Sequence, residues 1–190
     1  MLPYYYKFPQ LSLSDDLKGR MVGYCLANID SDETLLGGAA FKMYSDLAIH
    51  LFETEKELQR FEDECILKFT SRAAVVYNPH FFAIKHRDNH SFRTSVVYFP
   101  IYPNVEYAPI NFYEKDDVTA MTGEFDHFAS QDEPTVQIDG KESCYIFDAT
   151  TCHEVKNNHH YRINLQFSFV EPLTTVIELI ENKTLFKFLK

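Results

Sequence analysis

The sequence predicts an α+β chain that is mainly β, with helical segments at its two ends and a run of short strands between them. Three observations lead there. From Val75 to Val170, stretches rich in β-branched and aromatic residues alternate with turn-forming residues, the pattern of a sandwich or barrel. Ahead of them one segment repeats apolar residues at helical spacing, and behind them the tail LTTVIELIENKTLFKFLK does the same over one or two short helices. The chain has 190 residues and no internal repeat, low-complexity tract or Gly/Ser/Pro-rich linker, so residues 1–190 read as one domain.

Taken in order, the first forty residues favour no single element. Residues 46–52, DLAIHLF, alternate Leu47, Ile49 and Leu51 as a strand would. Thr54 and Glu57 then form a capping box for a helix over 55–69, with Leu58, Phe61, Cys65, Ile66 and Phe69 as its apolar stripe and the acids of 53–64 as its wet face. Strands are expected at 81–88, 93–100, 109–114, 134–138, 143–148 and 161–170. The connections YPNVEYAP and EKDDVTAMTGEFDHFASQDEP carry the Pro, Asn, Asp and Gly of loops, and the second, around 115–134, is long enough to be a lid.

Composition narrows the function. Eighteen basic against twenty-eight acidic residues give a formal net charge of −10, and no Lys/Arg stripe with interleaved aromatics is present, so nucleic acid and anionic lipid are not expected as partners. Cys25, Cys65, Cys144 and Cys152 form no C-x-x-C pair and read as buried thiols of a reducing compartment. The start lacks the apolar core of a signal peptide and no apolar run reaches membrane length, so a cytoplasmic location is expected.

The chemistry concentrates in two segments. In FFAIKHRDN, the two-residue period of a strand puts Phe82, Ile84, His86 and Asp88 on one face. An imidazole and a carboxylate so placed can take two adjacent corners of an octahedral metal, and His153, after the strand and turn CYIFDATT, can supply the third. Nine residues later, YRINLQFSFV separates an apolar row, Ile163, Leu165, Phe167 and Phe169, from a polar row, Arg162, Asn164, Gln166 and Ser168. A polar row turned inward needs partners, and the planar fork of arginine suits a carboxylate. His80, His90, His127, His159 and His160 read as solvated loop residues.

This order, H-x-D, a distant His, then Arg nine positions on, resembles the Fe(II)/2-oxoglutarate-dependent dioxygenase superfamily, and over residues 75–170 its prolyl-4-hydroxylase-like branch. HRDN, RTSVVYFP and HEVKNNHHYR are similar in order and spacing to the branch's ligand strand, the next strand with its cosubstrate tyrosine, and the His-to-Arg segment. The resemblance implies a double-stranded β-helix of two facing antiparallel sheets, a jelly roll. It implies Fe(II) on His86, Asp88 and His153, with 2-oxoglutarate and O2 as cosubstrates and ascorbate as a supporting reductant. Arg162 and Tyr98 would hold the far carboxylate of 2-oxoglutarate, with Tyr77 and Asn164 beside them. Asn164 departs from the Ser or small residue frequent at that place, and YAPINFYE replaces a Gly-rich approach. The implied reaction is hydroxylation of a C–H bond, of a peptidyl proline or another amino-acid residue, with release of succinate and CO2. A free amino acid or other small molecule is the alternative substrate, and a non-catalytic metal- or partner-binding module is the alternative class.

Overall fold

The computed structural model describes residues 4–29, 41–80, 82–88, 91–103, 109–114, 118–121, 125–128, 133–138, 144–157 and 159–189. Within these, residues 41, 42, 82–84, 118–121, 125–128 and 156 are described by their backbone alone.

The expected jelly roll is present. One sheet, the major sheet, is built from β1 (Tyr5–Lys7), β10 (Tyr145–Asp148), β5 (Ser95–Tyr102), β12 (Arg162–Phe169), β3 (Ser71–Tyr77) and β2 (Phe41–Tyr44), in that spatial order. The minor sheet runs β7 (Val118–Met121), β8 (Phe125–Phe128), β4 (Phe82–Asp88), β11 (His153–Lys156), β6 (Ile110–Phe112) and β9 (Val136–Ile138). Every pairing is antiparallel. From β3 to β6, and again from β9 to β12, the chain steps from one sheet to the other at each strand, which is what winds two sheets into a double-stranded β-helix.

Alternation along β12 decides which way the major sheet faces. Ile163, Leu165, Phe167 and Phe169 enter a core closed by helices α1 (Asp15–Ala27), α2 (Ser45–Thr54), α3 (Lys56–Glu64) and α4 (Leu173–Glu181). Phe167 stacks on Phe69 with ring centroids 4.0 Å apart and meets Phe52 edge-on. The other face of β12, Arg162, Asn164, Gln166 and Ser168, is buried as well and turns toward the minor sheet. A second, smaller core between the sheets holds Val96, Tyr98, Ile110, Phe112, Tyr145 and Phe147.

Several local expectations are corrected. Residues 46–52 lie in helix α2, where Leu47, Ala48, Leu51 and Phe52 are buried at helical spacing while Ile49 is 44% exposed. The capping box at Thr54 does not form: the Thr54 hydroxyl donates to the His50 carbonyl, and α3 starts without a side-chain cap. Glu57 instead accepts the Ser14 backbone N–H at 2.8 Å, and the Ser14 hydroxyl accepts from Leu17, so the acid helps start α1. The helix expected to 69 ends at Glu64, because Cys65 is extended and bridges to Phe186. Cys65 is only half-buried, whereas Cys25, Cys144 and Cys152 are buried as expected, and all four are free thiols. The segment read as a loop and lid contains strands β7 and β8, which extend the minor sheet beside β4. The rest of that segment, residues 115–117, 122–124 and 129–132, lies outside the described residues. No described helix is long and apolar enough to cross a membrane.

Candidate metal centre

Strands β4 and β11 are neighbours in the minor sheet, and their register sets His153 opposite His86, with a break in register just beyond His153. Directly opposed residues share a face, so the two rings meet with centroids 4.5 Å apart. Asp88, two residues along β4 from His86, points the same way by the strand period. His86, Asp88 and His153 each offer one donor atom, and these atoms all lie within 4.8 Å of one another. The side chains of Phe82 and Ile84, expected on this face, lie outside the described residues, as do those of His90 and His127. His80, His159 and His160 are exposed and belong to no metal-holding group among the described residues.

The surroundings prepare these atoms as ligands. His153 Nδ1 lies 2.8 Å from the Thr151 carbonyl oxygen, which only accepts, so the proton sits on Nδ1 and the Nε2 lone pair is left for a metal. Burial pushes the His153 imidazole below its usual value near 6.5, against the pull of Asp88, and so favours the neutral, ligating form. The Asp88 backbone N–H donates to Ala149 at 2.9 Å, its Oδ1 lies 3.7 Å from His86 Nε2, and its Oδ2 lies 3.0 Å from Arg93 Nε. Two imidazoles and one carboxylate on one side of a divalent ion fit the facial donor set of non-haem iron, which leaves other positions open.

Across the inter-sheet space stands the second cluster. Arg162 has no exposed surface; its Nε donates to the Tyr98 hydroxyl at 3.0 Å, and its guanidinium carbon lies 5.7 Å from the centre of the Tyr77 ring. Tyr145 stacks on Tyr98 at 4.9 Å. The amide nitrogen and oxygen of Asn164 are buried with no hydrogen-bond partner among the described residues, and the buried Tyr145 hydroxyl lies beside Arg162. Buried polar atoms left in this state mark a place where a polar ligand fits. Phe147 joins the clusters, 6.3 Å from Tyr98 and 5.6 Å from His153 between ring centres. Burial raises the Tyr77 phenol, Arg162 and Arg93 pull it down and Asp88 pushes it up, which places it in the fields of both clusters.

The structure therefore brings together all seven expected residues: His86, Asp88 and His153 on one sheet, Arg162, Tyr98, Tyr77 and Asn164 on the other. Two more were not foreseen. Tyr145 could have been found from the alternation of YIFD, which puts it on the face of Phe147; Arg93 follows a turn and has no periodic signature.

No family model matches the chain, and no curated protein matches it in sequence. Solved structures do match. A prolyl-4-hydroxylase of Pseudomonas putida superposes with a TM-score of 0.51 at 12% identity, over 87% of this chain and 91% of that one. The epimerase SnoN, solved with Fe3+, alpha-ketoglutarate and nogalamycin RO, superposes with a TM-score of 0.56 at 12% identity, over 86% of this chain and 77% of that one. The chain has the fold of the Fe/2-oxoglutarate oxygenases. AviO1 from Streptomyces viridochromogenes shares it too, with a TM-score of 0.50 at 14% identity over 86% of this chain and 89% of that one. At such identities the shared property is the fold, and the side chains set between its sheets must speak for the chemistry.

Proposed function

We propose that the chain is an Fe(II)- and 2-oxoglutarate-dependent oxygenase, one domain over residues 1–190, that hydroxylates a C–H bond of an amino-acid residue in a peptide, proline first. One observation carries this reading: the donor triad His86, Asp88 and His153 faces, across the same inter-sheet space, a fully buried arginine already bonded to a tyrosine. A metal-binding module has use for the first cluster and none for the second.

Iron, when bound by the triad, supplies O2 activation driven by conversion of 2-oxoglutarate to succinate and CO2, so that one oxygen atom enters succinate and the other the substrate as hydroxyl. The residues of the chain bind and orient. Arg162 presents its fork to the far carboxylate, and the Tyr98 hydroxyl, which accepts from Arg162 Nε, can give its own proton to that carboxylate. The Asn164 amide and the Tyr145 hydroxyl complete a polar end to the cleft. Tyr77, beside Arg162, feels the charges of Arg162, Arg93 and Asp88 together. Phe112 and Phe147, whose rings flank His153, exclude water where a reactive oxidant would otherwise be lost.

The peptide reading is supported by the prolyl-hydroxylase-like motif order and by the prolyl-4-hydroxylase among the similar structures. A small-molecule substrate is the second reading, favoured by the similar fold of SnoN, which was solved with nogalamycin RO. The test is anaerobic titration of the metal-free protein with Fe(II) and 2-oxoglutarate, following the visible charge-transfer band of the chelate, with His153→Ala as control. A band in the parent that vanishes in the variant is expected, and succinate release then sorts proline-containing peptides from free amino acids. A folded parent with no band would leave a non-catalytic binding module as the better account.

A further inference from the structure

The site contains a second cation that neither the motif nor the carboxylate clamp uses. Arg93 lies in the connection between β4 and β5, and its place is fixed by backbone bonds around it. Thr94 N–H donates to the Phe169 carbonyl at 3.0 Å, and Ala149 N–H donates to the Thr94 carbonyl at 2.9 Å. The Ala149 carbonyl in turn accepts the Asp88 N–H, so a single residue holds Asp88 on one side and the neighbour of Arg93 on the other. The side chains then meet: Arg93 Nε lies 3.0 Å from Asp88 Oδ2, with side-chain exposures of 17% and 3%. Arg93 also donates to Gln166 Oε1 at 3.4 Å, on the inward row of β12.

The two oxygens of Asp88 are thereby given different partners. Oδ1 is on the side of His86 Nε2 and the triad, and Oδ2 faces the Arg93 guanidinium in an ion pair that does not reach hydrogen-bond geometry at Nε. A free carboxylate beside a metal can bind through one oxygen or two, and the count matters here. On an octahedral metal, two imidazoles and one carboxylate oxygen would fill half of the positions, and a keto acid would take two more, leaving one for O2. A second oxygen from Asp88 would occupy one of those three.

We propose that Arg93 is a positioning residue that limits Asp88 to single-oxygen ligation and so keeps the cosubstrate positions open. The inference rests on the oxygenase reading and assigns to Arg93 a role through Asp88, with no direct contact to the reacting atoms.

The test compares the parent with Arg93→Gln and Arg93→Lys, anaerobically, by Fe(II) affinity, 2-oxoglutarate affinity and the position of the charge-transfer band. Arg93→Gln is expected to bind Fe(II) about as well as the parent but 2-oxoglutarate roughly tenfold more weakly, near 1.4 kcal/mol, with a displaced band. Arg93→Lys, which keeps the charge without the fork, should fall between the two. Cosubstrate affinity and band unchanged in Arg93→Gln would overturn the proposal, and so would a folded Arg93→Gln protein that no longer binds iron, because the arginine would then support the whole metal site. A measurement on the parent needs no variant to fold. Difference infrared spectroscopy on Fe(II) binding to protein carrying 13C-labelled aspartate should show the wide splitting of carboxylate stretches that single-oxygen ligation gives, and a narrow, chelate-type splitting would refute it. A parent that binds iron but no 2-oxoglutarate would defeat the oxygenase reading and this inference with it; a parent that binds both, with narrow splitting, defeats the inference alone.

Discussion

In the major sheet, one face of β3, β5, β10 and β12 sends Ala74, Val76, Val97, Phe99, Ile146, Leu165 and Phe167 into a core closed by helices, and the opposite face sends Arg162, Asn164 and Tyr98 toward the site. The minor sheet shows a different backing among the described residues: behind the triad, on the other face of its strands, Lys85, Asn111 and Glu154 are buried. There Glu154 accepts from the Asn111 amide at 2.7 Å and from the Tyr113 hydroxyl at 2.5 Å. The proposed metal ligands thus hang from the sheet braced by polar contacts, and the proposed cosubstrate clamp from the sheet braced by packed aromatics. A metal ion can bridge neighbouring strands and so complete the polar sheet on binding, whereas a carboxylate clamp must be held ready by its scaffold.

The sharpest way to break this comparison is to damage the braced face and look for an effect on the other. Phe167 is fully buried against Phe52, Phe69, Phe99 and Phe169. Phe167→Ala should cost about 3–5 kcal/mol of stability, by the usual range for an aromatic removed from a core. Urea unfolding measures that loss, while iron affinity of the folded protein should hardly change. A large fall in iron affinity would mean that the helix-backed core also sets the triad, and the division between the sheets would fail.

A smaller effect is expected at the clamp. Arg162→Lys keeps a positive charge and gives up the fork, including the Nε bond to Tyr98. A hydrogen bond to a charged group is worth about 1.5–3 kcal/mol, so 2-oxoglutarate affinity should fall roughly 10–100-fold with iron affinity retained. Calorimetric titration of the iron-loaded protein without oxygen checks both. Equal losses for iron and cosubstrate would show that the two clusters are one cooperative unit.

The same division explains what could be read from the sequence. β12 was legible because each of its faces meets a uniform environment along its whole length, apolar on one side and polar on the other, so the two-residue period survives intact. His86 and Asp88 were legible because the break in register against β11 falls on the other side of His86, so the two-residue period holds from His86 to Asp88. Residues 46–52 were misread because Leu47 and Leu51 fit a strand and a helix equally. Only Ala48, Phe52 and the exposed Ile49 tell the two apart, and they do so by what packs around them, which is tertiary information. Strands β7 and β8 stayed hidden because their stretch is rich in Asp and Glu and reads locally as a loop, and pairing with β4 outweighs that local preference. Arg93 was out of reach because its role comes from Asp88 and Gln166, brought to it by a turn and by the opposite sheet.

The smallest expected effect concerns protons on the polar-braced sheet. Burial holds the His153 pKa below 6.5, so the metal-free folded protein resists a proton that the unfolded chain accepts. Between the lowered folded value and 6.5 the unfolded state therefore binds more protons. The contribution of this residue to stability is at its full value above 6.5 and declines as the pH falls through that window. Other groups titrate nearby, so the comparison that isolates it is with His153→Gln, unfolded by urea in the presence of a chelator at about pH 7.5 and about pH 5.5. The parent should lose more stability than the variant on acidification. Equal losses would mean that His153 takes a proton as readily in the fold as in water, and that burial does not prepare it as a ligand. Repeating the series with Fe(II) present should steepen the parent's loss below 6.5, since the metal and the proton compete for the same nitrogen and only the neutral imidazole can bind iron.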